Sequence, residues 1–224
     1  MALPGRPEAA VTGVCTEAEL TVLVMVKEPV PGRVKTRLSP PLSPQEAADC
    51  ARACIADTLA AALARPSSRT VVMLDGSPGP WLPPEVSVIA QQGHGLAERL
   101  AHAFSCVQGP ALVIGMDTPQ VSSALLWPDL ELDPADAVLG PALDGGYWAL
   151  GMRQPDPRVF AGVPMSTAHT GAAQWAALQD RCARPRTLPM LRDLDTIDDA
   201  VAIAREYPDL AVSHMLDSHV ASAP

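Results

Sequence analysis

Four basic side chains, Lys27, Arg33, Lys35 and Arg37, fall within the stretch KEPVPGRVKTRL at positions 27–38, in a chain with 16 Lys and Arg residues in all and a formal net charge of −9. Bases gathered against the balance of the molecule point to an anionic ligand. The stretch follows the apolar run Thr21–Val26. A strand leading into a Pro- and Gly-stiffened basic loop and then a helix is how α/β proteins set N–H groups and cations against phosphates. Acids recur further along. Asp117 closes the apolar run Ala111–Ile114 in Gly115-Met116-Asp117-Thr118-Pro119, Asp144 opens Asp144-Gly145-Gly146, and Asp193, Asp195, Asp198 and Asp199 cluster near the C-terminal end. A carboxylate at a strand end can hold a hard divalent cation that keeps several waters and bridges a nucleotide's phosphates.

Each signal also has a plainer reading. Asp117 before a proline suits a turn, Asp-Gly-Gly between two apolar runs suits a hairpin, and Thr196 with Asp199 suits a helix start. The loop Gln91-Gln92-Gly93-His94-Gly95 offers amides and a glycine hinge to a nucleobase, or simply opens a helix. The glycines of Asp144-Gly145-Gly146 clear side chains from a place where a sugar or phosphate could approach the backbone. The order of these segments at successive strand ends makes a joint site the stronger reading, because ligands of open α/β sheets lie outside the carboxyl ends of the strands.

The elements that must position these residues alternate strand and helix, which predicts an α/β sheet of mostly parallel order. Strands are expected at Thr21–Val26, Arg69–Leu74, Val86–Ala90, Ala111–Met116, Ala135–Leu139, Tyr147–Met152 and Arg186–Leu191. The clearest helix opens at Ser43 with Pro44 next and Glu46 three residues on, a capping box with proline at the first helical position. Ala47, Ala51, Ile55, Leu59, Ala62 and Leu63 recur along it at helical spacing. Further helices are expected over Leu96–Val107, over Thr167–Ala183 and from Thr196. Residues 1–19 read as a flexible Ala/Pro/Gly extension, 20–210 as one domain, and 211–224 as a loosely attached tail.

Bulk composition excludes several classes. The chain has 224 residues, 48% of them hydrophobic, yet no window approaches the ~18 consecutive apolar residues of a membrane span. One base, Arg6, and no apolar core in the first 19 residues argue against a signal peptide, so a cytoplasmic protein with no membrane partner is expected. Five scattered cysteines argue against a disulfide framework. Cys50 and Cys54, one helical turn apart with no matching Cys or His pair, read as core-lining thiols. A sequence pI near 4.9 disfavours nucleic acid, whose binding rests on a broad field of bases. Small phosphorylated ligands remain.

The segments Lys27–Leu38, Gln91–Leu100, Gly115–Pro119, Leu139–Trp148, Ser166-Thr167 and Asp193–Asp199 together resemble the small bacterial GT-A-like transferases often labelled arsenosugar-biosynthesis-type or radical-SAM-associated glycosyltransferases. More distantly they resemble guanylyl- and cytidylyltransferases. The resemblance runs from about Thr21 to Pro208. It implies a single-domain α/β nucleotide-diphospho-sugar transferase (GT-A-like) fold, a mixed, mainly parallel sheet flanked by helices. It also implies a magnesium or manganese ion, and a nucleotide-sugar or nucleoside triphosphate as donor. Matched residue by residue, Lys27, Gly32, Arg33, Lys35, Thr36 and Arg37 fall in the phosphate loop, with Gln92, Gly93, Gly145 and Gly146 as further donor-binding positions. Asp117 and Asp195 correspond to metal ligands, and Asp144 and Lys35 to catalytic groups. Glu28 departs from the pattern where a small residue is usual, and Met165 where an aromatic normally precedes Ser-Thr.

Two enzyme chemistries follow. One transfers a glycosyl group to a small-molecule acceptor; the other transfers a nucleotidyl group to a phosphorylated one and releases pyrophosphate, which four bases in one loop would suit. A non-catalytic nucleotide-binding protein is the third reading, disfavoured because it would need fewer acids around a phosphate. Base, sugar, acceptor and stereochemical outcome are not legible, and the oligomeric state stays open, a homodimer included.

Overall fold

The computed structural model describes residues 20–64, 68–126, 136–181 and 184–220. Its elements run β1 (Leu20–Lys27), α1 (Pro44–Leu63), β2 (Ser68–Asp75), β3 (Ser87–Ala90), α2 (Gly95–Ser105), β4 (Ala111–Gly115), the short α3 (Ser123–Leu126), β5 (Asp136–Pro141), β6 (Tyr147–Met152), α4 (Thr170–Gln179), β7 (Arg184–Thr187), α5 (Ile197–Glu206) and α6 (Ala211–Val220). Seven strands form one sheet in the order β3-β2-β1-β4-β6-β5-β7. All neighbours are parallel except those of β6, which runs antiparallel to both β4 and β5.

Strand β1 shows why the apolar runs settle here. Val22, Val24 and Val26 join one buried cluster with Ile55 and Leu59 of α1. Leu23 faces the other way, into a cluster with Leu100 and Phe104 of α2, Phe160 and Leu178. A parallel strand covered on both faces must be apolar on both, hence a continuous run rather than an alternating one. The predicted start of α1 is observed: Ser43 Oγ accepts from the Glu46 N–H at 3.3 Å, and the Glu46 carboxylate accepts from the Ser43 N–H at 2.6 Å. Cys50 and Cys54 are free and buried beside Leu38, Leu194 and Val212, as core-lining thiols.

Three boundaries differ for physical reasons. The strand expected over Arg186–Leu191 pairs only as Arg184–Thr187, then touches the sheet once more through a bridge between Ala142 and Leu191. Leu188 N still donates to Leu139 O and Leu191 N to Pro141 O; beyond Leu191 the chain crosses to the carboxyl end of β4, pinned by buried Leu188, Leu191 and Leu194. Helix α4 starts at Thr170 rather than Thr167, because the Thr170 hydroxyl bonds back to Pro164 O and to the Thr167 N–H, holding 164–169 as a loop. The stretch after Leu210, expected as a loose tail, carries α6. Its Val212 and Leu216 are buried against α1 and α5, and both oxygens of Asp57, on α1, accept its first N–H groups at 2.8 and 3.0 Å. The expected extension 1–19 lies outside the described residues. Among those described, no helix is long and apolar enough to cross a membrane.

Candidate active site

The carboxyl ends of β1 and β4 and the amino end of the antiparallel β6 meet at one place. After β1 the chain makes a long loop, pinned by buried Val34 and Leu38, with Gly32 at φ +75° and a single 3-10 turn at Thr36–Leu38. Helix α1 begins only afterwards, and its first N–H groups are taken by its own capping box. The bases are therefore displayed by the loop rather than by a helix N-terminus. Lys27, Arg33, Thr36 and Arg37 are exposed.

Lys35 behaves differently. Its side chain is 4% exposed, and its ammonium sits 2.6 Å from Asp117 Oδ1 and 3.8 Å from Asp195 Oδ1 while donating to Leu194 O. Burial alone would lower its pKa; the facing carboxylates, Asp117 foremost, more than reverse this and raise it above the ordinary lysine value. Lys35 adopts a left-handed backbone, φ 47°. The other non-glycine residue among those described with positive φ is Ser166, at 58°, at the start of a loop that also lines the cavity described below. Such conformations cost of order 1–3 kcal/mol and persist where surrounding contacts dictate them.

Asp117 and Asp195 thus converge as the sequence predicts, with an ammonium between them. The crossing segment does this: Leu194 N donates to Asp117 O at 2.7 Å, and Gln120 Nε2 donates to Arg192 O at 2.6 Å, tying residues 192–195 to the end of β4. Asp195 also meets Arg37 at 3.3 Å, although the Arg37 side chain is 76% exposed. Burial first, then the Asp117 charge, push the Asp195 carboxyl up, while Lys35 and Arg37 pull it down.

Beside this pair opens a cavity of about 240 Å³, whose polar rim carries Asp117, Asp144 and Asp193 together with Ser166 and Thr167. Asp193 was part of a recognised acidic cluster but not singled out; its place depends on the path of residues 188–195, which no local pattern announces. Burial, then the charges of Asp144, Asp117 and Asp195, push the Asp193 carboxyl up to about 7. Asp144 lies in the tight turn of the β5–β6 hairpin, where its Oδ1 accepts from the Gly146 N–H at 2.8 Å. The hairpin and site readings of Asp-Gly-Gly are therefore both realised.

Gly145, however, serves the protein itself. At φ +88° a Cβ would stand 2.1 Å from Ala168 O, and Gly171 N donates to Gly145 O at 2.8 Å, so the turn clamps the loop that begins at Ser166. Gly146 does line the cavity. Gln92 and Gly93 are exposed and do not line it; a Cβ on Gly93 would meet Glu98 at 2.6 Å, and the Glu98 carboxylate accepts from the His94 N–H at the start of α2. The amide that is engaged belongs to Gln91, which donates to Val26 O and Met73 O and accepts from Arg99. Glu28, the departure from the family pattern, accepts from the Ser77 N–H at 2.9 Å and fills the space beside Gly76.

Among the described residues no three His, Cys, Asp or Glu side chains stand close enough to cage a metal ion. The donor set nonetheless fits a hard cation held in part by a ligand: three carboxylates share the rim, and burial together with the neighbouring acids pushes Asp193 up to about 7. Magnesium is ordinarily bound by one or two carboxylates plus waters and substrate phosphates.

Among solved structures, a candidate nucleotide-diphospho-sugar transferase from Desulfovibrio desulfuricans superposes with a TM-score of 0.81 at 29% identity, covering 91% of this chain and 96% of its own. CMP:2-keto-3-deoxy-manno-octonic acid synthetase complexed with CTP gives 0.51 at 11% identity, over 85% of this chain and 99% of that one. A candidate glucose-1-phosphate thymidylyltransferase from Bacillus anthracis gives 0.52 at 10%, over 85% and 96%. The fold is that of the nucleotide-diphospho-sugar transferases. No curated protein matches the chain. The family model described as an uncharacterized protein conserved in bacteria (DUF2064) matches residues 46–167, and the chain belongs to that family.

Proposed function

We propose that the chain is a transferase that uses a nucleotide-activated donor, and that it moves a glycosyl group from a nucleotide-sugar to a hydroxyl of a small acceptor. The observation that carries this reading is the division of charge at the sheet edge: a loop bearing four bases adjoins a cavity lined by three carboxylates and, among the described residues, by no Lys, Arg or His. Exposed Arg33 and Arg37 are placed to meet a donor's phosphates, since charge-assisted hydrogen bonds from guanidinium groups suit them. Lys35 holds Asp117 and Asp195 in register and keeps the loop against residues 194–195. Asp117 and Asp193, with Asp195 behind them, would hold magnesium or manganese, which supplies positive charge to offset the departing diphosphate. Asp144, fixed by the Gly146 N–H, is the group to take the proton of the acceptor hydroxyl.

Nucleotidyl transfer to a phosphorylated acceptor is the competing reading, favoured by the number of bases in the loop. It would require the acceptor's phosphate to lie against Asp117, Asp144 and Asp193, where no basic side chain receives it. Incubation of the protein with magnesium or manganese, nucleotide-sugars and hydroxyl acceptors is expected to release a nucleoside diphosphate. Pyrophosphate from a nucleoside triphosphate and a phosphorylated acceptor, with no nucleoside diphosphate from any nucleotide-sugar, would overturn glycosyl transfer.

A further inference from the structure

We infer that the cavity selects an uncharged acceptor built from an apolar body and a hydroxyl group, and discriminates against anionic molecules; this rests on reading the cavity as the acceptor side of a transferase. Its wall is largely hydrocarbon: Met25 from β1, Leu100 from α2 with Leu96 at the mouth, Val113 from β4, and Tyr147 and Trp148 from β6. Both aromatic side chains have their polar atoms engaged elsewhere. The Tyr147 hydroxyl bonds Gln174 Oε1 at 3.2 Å, and Trp148 Nε1 donates to Pro189 O at 3.0 Å. Neither side chain offers the cavity a free donor. At the rim the Thr167 and Thr170 hydroxyls bond each other and the neighbouring backbone.

What remains to meet a ligand's polar end is three carboxylates and the hydroxyls of Ser166 and Thr118. Ionised carboxylates only accept hydrogen bonds, and three acids crowded at one rim repel a further anion, so the matching group is a neutral donor such as a hydroxyl rather than a phosphate dianion. Thr118 supplies an independent sign that a polar partner belongs here. It is 1% exposed, it lines the cavity, and its Oγ1 has no hydrogen-bond partner, in a setting where a buried hydroxyl ordinarily has one. A divalent cation arriving with the donor does not reverse the selection, because the donor's diphosphate carries at least as much negative charge as the ion carries positive.

Ligand-observed NMR titration with compounds of related skeleton and differing polar end tests this. The probes are 2-phenylethanol, phenylacetate and phenyl phosphate, with glucose as an uncharged ligand lacking an apolar body. The expected result is binding of 2-phenylethanol at least about tenfold tighter than each of the other three, with and without magnesium plus a nucleoside diphosphate. Equal or tighter binding of phenyl phosphate, phenylacetate or glucose, or no binding of 2-phenylethanol up to about 10 mM, overturns the inference. Leu96, 43% exposed at the mouth, provides a variant that should fold: Leu96→Asp is expected to weaken 2-phenylethanol binding about tenfold or more. Unchanged affinity in that variant counts against the cavity as the binding place. Nucleoside diphosphate binding is measured separately by thermal shift. Its failure strikes the transferase reading, while the alcohol series strikes only the acceptor class.

Discussion

The two halves of the carboxyl edge treat charge in opposite ways. On the β1 side a buried lysine is wedged between Asp117 and Asp195, with Arg37 completing the network, so each charge finds an opposite one inside the protein. On the β4–β6 side Asp193 and Asp144 face the cavity with no base among its lining residues, and Asp193 retains its proton up to about pH 7. A half that is neutralised internally is a frame. A half left with surplus negative charge and an apolar wall is where ligands and a cation complete the structure.

The sharpest break in this comparison should come from Asp144. If it takes the acceptor's proton, Asp144→Asn removes the base while keeping the Gly146 contact, and turnover should fall by ~10²-fold or more with donor affinity nearly intact. Steady-state kinetics with separate donor and acceptor titrations checks this. A rise in the donor's KM with unchanged kcat would move Asp144 to the donor side and dissolve the division.

Next in size is Lys35. Lys35→Ala leaves Asp117 and Asp195 facing each other with no ammonium between them and frees the loop that carries Arg33 and Arg37, so it should weaken binding of a nucleoside diphosphate indirectly, by about tenfold. It should also lower stability by about 2 kcal/mol, less than the ~3–5 kcal/mol for breaking a fully buried pair, because Asp117 stays half exposed. Calorimetric titration and denaturant unfolding separate the two effects. A stable variant with unchanged nucleotide affinity would make Lys35 a bystander and leave the exposed arginines as the whole phosphate site.

How far this division was legible beforehand differs by residue. The positions of the strands and both helix starts were readable because their causes are local: apolar runs covered on two faces, and Ser43 or Thr196 three residues ahead of an acid. The pairing of Asp117 with Asp195 was readable as a motif, but the lysine between them was not. Asp193 was hidden for a different reason. Its role arises from a segment that crosses the sheet and is tied to β4 by Leu194 and Gln120, contacts that lie 77 and 72 positions apart. The choice of Gln91 over Gln92 turned on which of two adjacent side chains points at the strand ends, and spacing alone could not decide it.

Asp193 also sets a pH test of the surplus charge. Its folded pKa of about 7 lies above the ordinary 3.8, so the protonated form is favoured by folding. Stability from this group is fully present below about pH 4 and is lost as pH rises through about 7. The full shift would correspond to about 4 kcal/mol, and partial exposure to water screens it to about 1–2 kcal/mol. In metal-free protein, Asp193→Asn should therefore be more stable than wild type by about that amount above pH 7, with the difference vanishing towards pH 4. Denaturant unfolding across this range measures it, and magnesium should narrow the gap at high pH by stabilising wild type alone. Parallel stability curves for the two proteins would mean that the cavity side carries no surplus charge.

The smallest effect should come from a change outside both halves. Helix α6 has no strong cap signal of its own; its N-terminal N–H groups are met by Asp57 from 154 and 155 positions away, which is why the sequence reads as a tail where the structure has a docked helix. Asp57→Ala removes an N-terminal anion and two acceptors. By analogy with capping residues it should cost about 1 kcal/mol, or roughly 2–4 °C in Tm for a domain of this size. Because Asp57 faces α6 and neither the basic loop nor the cavity, affinities for a nucleoside diphosphate and for 2-phenylethanol should both stay at the wild-type value. A thermal scan with the two titrations suffices. A selective loss of one affinity would show that the helical layer beneath Lys35 transmits strain into that half, and the contrast between frame and cavity would then belong to the whole α1 face rather than to the residues at the sheet edge.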